Sequence, residues 1–210
     1  LHLKEHKKTL IPMFGGLIFM ALIFYSFSFW APTMMIRAFN VSLSEVGLIL
    51  GLITIVSSII GTILAGSAVD YLRNKNYSDA PVRAAMIAVM LALPPIVMLS
   101  FVSSEIGAWI CIALYLLFIS SFAPLGLLAI SGVSTGSVKG QAAAIHAFLM
   151  MAFGLSLGPQ LTAFFTDFIF ADPNLLINSI SLSGLIVLPI SAFLFKISLR
   201  RYRESSKKML

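Results

Sequence analysis

One to two turns into the fifth of six long apolar stretches lies His146, a side chain able to carry a proton or hold a polar group of a bound molecule. A neutral histidine hydrogen-bonded to a neighbouring helix fits the position as well. The interiors of the six stretches otherwise hold no Asp, Glu, Lys or Arg. What they offer is Tyr25, Ser26, Ser28, Ser57, Ser58, Tyr115, Ser120, Ser121 and Gln160 among Phe and Met. Aromatic rings with scattered hydroxyls suit an amphipathic organic molecule better than a sugar or a bare ion. Taken singly, each of these residues is also ordinary helix packing. Gly132-Val-Ser134-Thr-Gly136 matches the spacing of a serine nucleophile elbow. That motif works only on a strand-to-helix turn beside a base and an acid. No strand is expected here, and His146 lies twelve residues on, so the chain is not expected to be an enzyme. His2 and His6 sit on a terminus and Cys111 is the single cysteine, so neither a metal site nor a disulfide is expected, and no cofactor.

Composition sets the medium in which these residues work. Of 210 residues 59% are hydrophobic and 10% charged, with a mean hydropathy of +1.01, whereas globular domains carry about 25% charged residues. Spans of a bilayer need about 20 apolar residues. Six stretches qualify: 10–36, 44–69, 82–102, 106–131, 141–166 and 175–199. The expectation is an all-α membrane protein of one six-helix domain. The net charge of +6 does not point to nucleic acid, because Lys and Arg cluster between the apolar runs. With both termini on the cytoplasmic side, 13 of the 14 Lys and Arg residues lie inside, and only Arg37 lies outside. Arg37 fits pairing with Glu45 or interfacial anchoring, with an anionic head group as the alternative partner. A multi-pass protein of the plasma or bacterial inner membrane follows. The first residue is Leu, consistent with a processed start or a sequence cut from something longer. The first apolar run is too long for a secretory signal and is read as a retained span.

The spans carry two kinds of irregularity. Trp30-Ala31-Pro32, Pro94-Pro95, Pro124 with Gly126, Gly158-Pro159 and Pro189 predict kinks or weakened turns in five of the six. Such breaks survive in a bilayer where neighbouring helices or a wet cavity satisfy the freed carbonyls, which favours a moving bundle over a static anchor. The second kind is a run of small residues. Gly47, Gly51, Thr54, Ser58, Gly61 and Ala65 fall within roughly 40° of one line down the second span. Gly154 and Gly158 form a shorter pair on the fifth. Flat flanks let a second helix approach closely, and both are expected to receive helices from outside this chain.

Gly66-x-x-x-Asp70, with Arg73 and Lys75 beyond it and Arg83 opening the third span, resembles the loop signature of the major facilitator superfamily. Tyr71 and Arg73 depart from its expected basic residue and glycine. Lys139-Gly-Gln-Ala-Ala-Ala-Ile-His146 leading to Gly154, Gly158-Pro159 and Asp167 looks like the second half of spinster-like members. So do Trp30-Ala31-Pro32, Arg37 and the stretch Ser44 to Gly51. The resemblance covers essentially the whole chain. It implies one half of a major facilitator fold, a 3+3 inverted repeat, whose partner is an N-terminal six-helix half not contained here. It implies a secondary carrier of a small solute working by alternating access, with Asp70 helping to close the cytoplasmic side against that half. It places Tyr25, Phe29 and Trp30 on a span lining the central cavity, with Ser57, Tyr115, Ser121 and His146 as further candidates. It also assigns Gly47, Gly51, Gly61, Gly154, Gly158 and Pro159 to helix packing at the seam with the first half. A homodimerising six-helix scaffold or half-size carrier is the alternative.

Overall fold

Each apolar stretch becomes a helix or a pair of helices, and polar residues at the ends start and stop them. The computed structural model of the chain describes residues 7–132 and 136–207; Ser134, His2 and His6 lie outside them. Helix α1 runs from Lys7 to Phe39, and Asn40 closes it in the left-handed region (φ 55°), donating its N–H to the Ile36 carbonyl at 3.1 Å. Helix α2, Leu43–Asn74, starts on Ser42, whose hydroxyl accepts from the Glu45 N–H at 3.3 Å. It continues one turn beyond Asp70, where the sequence places the water boundary, and Asn76 (φ 62°) turns the chain. Helix α3 is Ala80–Met98, extended by a 3₁₀ turn at Leu99–Phe101.

The fourth span is broken. Helix α4 (Glu105–Ile119), capped by Ser104, stops at Ser120-Ser121, and α5 (Phe122–Ser131) starts afresh. Pro124 explains the break, because it has no N–H for the Ser120 carbonyl and its ring crowds that turn. The fifth span is also irregular. Helix α6 (Gly136–Leu149) passes through a π turn at Met150–Leu155 into α7 (Ser156–Phe164), and a second π turn covers Phe165–Phe170. Pro159 has no N–H for the Leu155 carbonyl, and the first π turn lies immediately before that gap. Helix α8, Leu176–Lys207, follows a 3₁₀ turn at Pro173–Leu175. No strand occurs among the described residues, and six helical segments are long and apolar enough to cross a membrane.

Between the fifth and sixth spans Ala171 adopts φ 52°, ψ 28°, a conformation that presses Cβ on its own backbone. Ala171→Gly is expected to stabilise the fold by about 0.5 to 1 kcal/mol. Unfolding titrations with SDS in mixed micelles check this.

Between helices in lipid, the hydrophobic effect supplies little, so close approach and hydrogen bonds must hold the bundle. Here α1 packs along α8, with Gly16 directly under the Phe195 ring and the Ser191 hydroxyl donating to the Gly16 carbonyl at 2.8 Å. Lower down, Ser198 donates to the Thr9 carbonyl at 3.3 Å. Gly184 brings α8 against Ile96 of α3. A chain of three buried hydroxyls joins three spans: Ser26 to Thr162 at 2.7 Å, and Thr162 to Ser183 at 2.9 Å. Each such bond contributes about 0.6 to 2 kcal/mol.

The small-residue flanks require a correction. Gly154 abuts Ala21 and Tyr25, and Gly158 abuts the Leu22 carbonyl, so the flank of the fifth span is filled by α1 of the same chain. Gly61 lies against the Leu117 carbonyl of α4, and Ser57 donates to the Ala113 carbonyl at 3.2 Å. The line on α2 is divided. Its buried side passes from Val46 through Ser57 and Gly61 to Val69, while a Cβ at Gly47, Gly51 or Gly66 would meet nothing within 4 Å.

Candidate functional site

Where α1, α5 and α6 meet there is a cavity of about 270 Å³. Tyr25 contributes one wall, Phe122 and Leu127 a second, and His146, Met150 and Met151 a third. Both irregular spans border it: Phe122 is the first residue after the break of the fourth span, and Met150 opens the first π turn. Phe122 meets Tyr25 edge-on at 6.2 Å and Phe24 at 5.2 Å, which fixes the aromatic wall.

His146 is only 3% exposed, and its ring stacks on Phe14 at 6.1 Å with the planes 19° apart. Its Nδ1 is buried and finds no hydrogen-bond partner. Nδ1 therefore makes no hydrogen bond to a neighbouring helix. Gly126 makes room for the ring, since a Cβ at that position would collide with Cε1 and Nε2. The site thus has an apolar and aromatic lining with two polar residues, His146 and Tyr25, of which one carries an unsatisfied buried nitrogen. Such a lining holds an organic molecule by shape and orients it with a few hydrogen bonds.

The structure brings together Tyr25 and His146 and disperses the other cavity candidates. Tyr115 is fully buried, donating to the Ile23 carbonyl at 3.1 Å with its ring 4.7 Å from Phe27, and is a packing residue. Ser57 serves the α2–α4 contact. Ser121 donates to the Phe118 carbonyl at 2.7 Å and lines a different cleft. The Trp30 indole donates to the Pro159 carbonyl at 2.9 Å, which ties α1 to α7. Phe29 is exposed and packs edge-on against Trp30. Arg37 donates to the Pro173 carbonyl at 3.2 Å rather than pairing with Glu45.

At the loop between α2 and α3, Asp70 is exposed and reaches Arg73 only at 4.0 Å. The buried acid is Asp79, a residue that the motif passes over. Its side chain is inaccessible and its Oδ2 accepts from Arg83 at 3.1 Å and from Arg203 of α8 at 2.8 Å. Beside it Tyr202 donates to the Ala129 carbonyl at 2.8 Å. Among lining residues, Phe122, Leu127 and Met150 were also missed. The signal for Phe122 was its position two residues before Pro124 at a predicted kink.

The fourth and fifth of the six apolar spans are interrupted beside a shared cavity, and the chain is a multi-pass membrane protein. No family model and no curated protein matches the sequence. Solved structures that share the fold include two of a bacterial homolog to the human lysosomal transporter Spinster. The one in an inward-facing and occupied conformation superposes with a TM-score of 0.66 at 14% identity, over 95% of this chain and 49% of that chain. The inward-facing and unoccupied one gives 0.62 at 16% identity, over 98% of this chain and 49% of that chain. At these identities the likeness is one of fold. The chain spans about half the length of the structures it matches.

Proposed function

We propose that this chain is the C-terminal half of an alternating-access carrier for a small amphipathic organic solute, and that the cavity at Tyr25, Phe122 and His146 is its share of the solute site. The observation that carries the reading is a cavity bordered by both interrupted spans, aromatic and apolar except for Tyr25 and His146. It is supported by the fold shared with half of a transporter. The N-terminal six-helix half would seat on the open flank of α2 at Gly47, Gly51 and Gly66, with Asp70 available to pair across the closed cytoplasmic seam. In a carrier of this kind the halves rock about the site, and broken helices supply the moving parts. The break at Ser120-Ser121 and the π turn at Met150 would serve as those parts. Both termini are assigned to the cytoplasmic side of the cell membrane on the distribution of Lys and Arg.

The test is uptake of a dansyl-labelled alkylamine and of a dansyl-labelled fatty acid into proteoliposomes holding the chain together with a cognate first half. Uptake of either is expected, and no flux of any amphiphile with both halves inserted would overturn the reading. Gly126→Ala is expected to lower uptake about tenfold, because displacing the His146 ring removes a hydrogen bond that the solute would make. His146→Leu should lower it comparably, while Tyr115→Phe should leave uptake near the parent level. Disulfide formation between copies carrying cysteine at Gly51, without any first half present, would support a homodimer instead.

A further inference from the structure

A second cleft, of about 270 Å³, opens between α2 and α3 with its floor on Phe118 and Leu125, at a place the solute cavity does not reach. Its walls are small residues facing one another, Gly61, Ala65 and Ala68 on α2 against Ala84 and Ala88 on α3. The rim residues Leu64, Ile87 and Leu91 are about half exposed within segments apolar enough to span a membrane, so the cleft is open on the surface of this chain. Its one polar residue, Ser121, already donates to the Phe118 carbonyl, so no group inside calls for a polar occupant.

The foot of the cleft is different. Leu64, Ala68, Tyr71 and Lys75 follow at spacings of four, three and four, and so descend one line of α2. Arg83, Ile87 and Leu91 do the same on α3. Each line ends in a cation lying on a tyrosine: the Lys75 ammonium 4.6 Å from the Tyr71 ring and the Arg83 guanidinium 4.4 Å from the Tyr77 ring. Both tyrosines are exposed, as aromatic residues at a membrane–water boundary are. The charges do not balance locally. Asp79 is shared by Arg83 and Arg203, Glu204 pairs with Arg200, and Asp70 stands beside Arg73, which leaves an excess positive charge to which Lys75 adds. The buried Nε of Arg83 donates to nothing.

We infer that this cleft is a binding site for an anionic phospholipid, one acyl chain lying between α2 and α3 and the phosphate drawn to Lys75 and Arg83. An acyl chain gains little by leaving lipid for an apolar cleft, so the cleft fixes where the lipid sits and the cations decide which lipid it is. The site stands independently of whether the chain carries a solute.

Native mass spectrometry of the purified protein with dioleoylphosphatidylglycerol and dioleoylphosphatidylcholine tests it, with no transport readout involved. Phosphatidylglycerol should be retained about fivefold over phosphatidylcholine for each cation engaged. Lys75→Gln, a surface change, should cut that preference about fivefold. Ala88→Phe, which fills the cleft, should lower retention of phosphatidylglycerol with Lys75 in place; Ala68→Leu is the milder filling if the first variant does not fold. Equal retention of the two lipids by the parent protein, or undiminished phosphatidylglycerol in a folded cleft-filled variant, would overturn the assignment.

Discussion

Asp79→Ala is expected to destabilise the protein by about 3 kcal/mol or more, the effect of leaving cations near a buried site without their counter-charge. The carboxylate is inaccessible and is approached by Arg83 from the first turn of α3 and by Arg203 from α8. Without it, two guanidiniums face each other, and α8 loses its charged tie to the α2–α3 loop. SDS titration should give a lower midpoint, and trypsin should cut after Arg200 and Arg203 faster than in the parent. Arg203→Gln should do less, because Arg83 remains to pair with Asp79. The pair should couple in a double-mutant cycle, since the two side chains are in direct contact. Parent-like stability and proteolysis of Asp79→Ala would show that the cluster is peripheral.

The second large effect is expected at Gly158. A side chain there has nowhere to go: Cβ alone would overlap the Leu22 carbonyl and approach the Ser26 N–H at 3.1 Å. Gly158→Leu therefore pushes α7 off α1. Overpacking of this kind costs about 1 to 3 kcal/mol, and losing the Ser26–Thr162 bond with it adds about 0.6 to 2 kcal/mol. The contrast is Gly51→Leu, at a position where nothing lies within 4 Å. It should leave the stability of the isolated chain unchanged and, under the proposed function, weaken association with a first half. Circular dichroism of both variants during SDS titration separates the two glycines, and equal loss of stability would contradict the assignment of their neighbours.

How far the sequence was legible depends on what each residue signals locally. Six spans follow from length and hydropathy alone, and six helical segments of the described residues are long and apolar enough to cross a membrane. Pro124 and Gly158-Pro159 announced the irregular turns of the fourth and fifth spans, whereas Pro32, Pro94-Pro95 and Pro189 lie inside uninterrupted α-helices. What small residues face was not legible. Gly47 and Gly158 look alike as letters, yet one borders open space and the other a carbonyl of α1, because neighbour identity is set by the crossing of helices far apart in the chain. The same limit applies to hydroxyls. Tyr115 and Tyr25 both occupy apolar runs, but only the rotation of each helix decides that one donates to a carbonyl and the other lines a cavity. Asp79 was hidden for another reason. Its partner Arg203 lies 124 residues away, and a motif centred on Asp70 drew the reading to the exposed acid.

The fifth span reads differently once its two π turns are treated as stored length. Each holds a residue more than the α-helical path requires, one on either side of the nine residues Ser156–Phe164. If the first turn tightened and the second widened, the intervening segment would screw about its axis by about 100° per residue exchanged, with neither end of the span displaced. Such a screw would carry Leu157 or Pro159 to the place of Gly158 against the Leu22 carbonyl and part Ser26 from Thr162, so the seat of α7 on α1 has to open before the segment can turn. Spin labels at Ala147 and Leu157 would register it as a change in separation on adding solute.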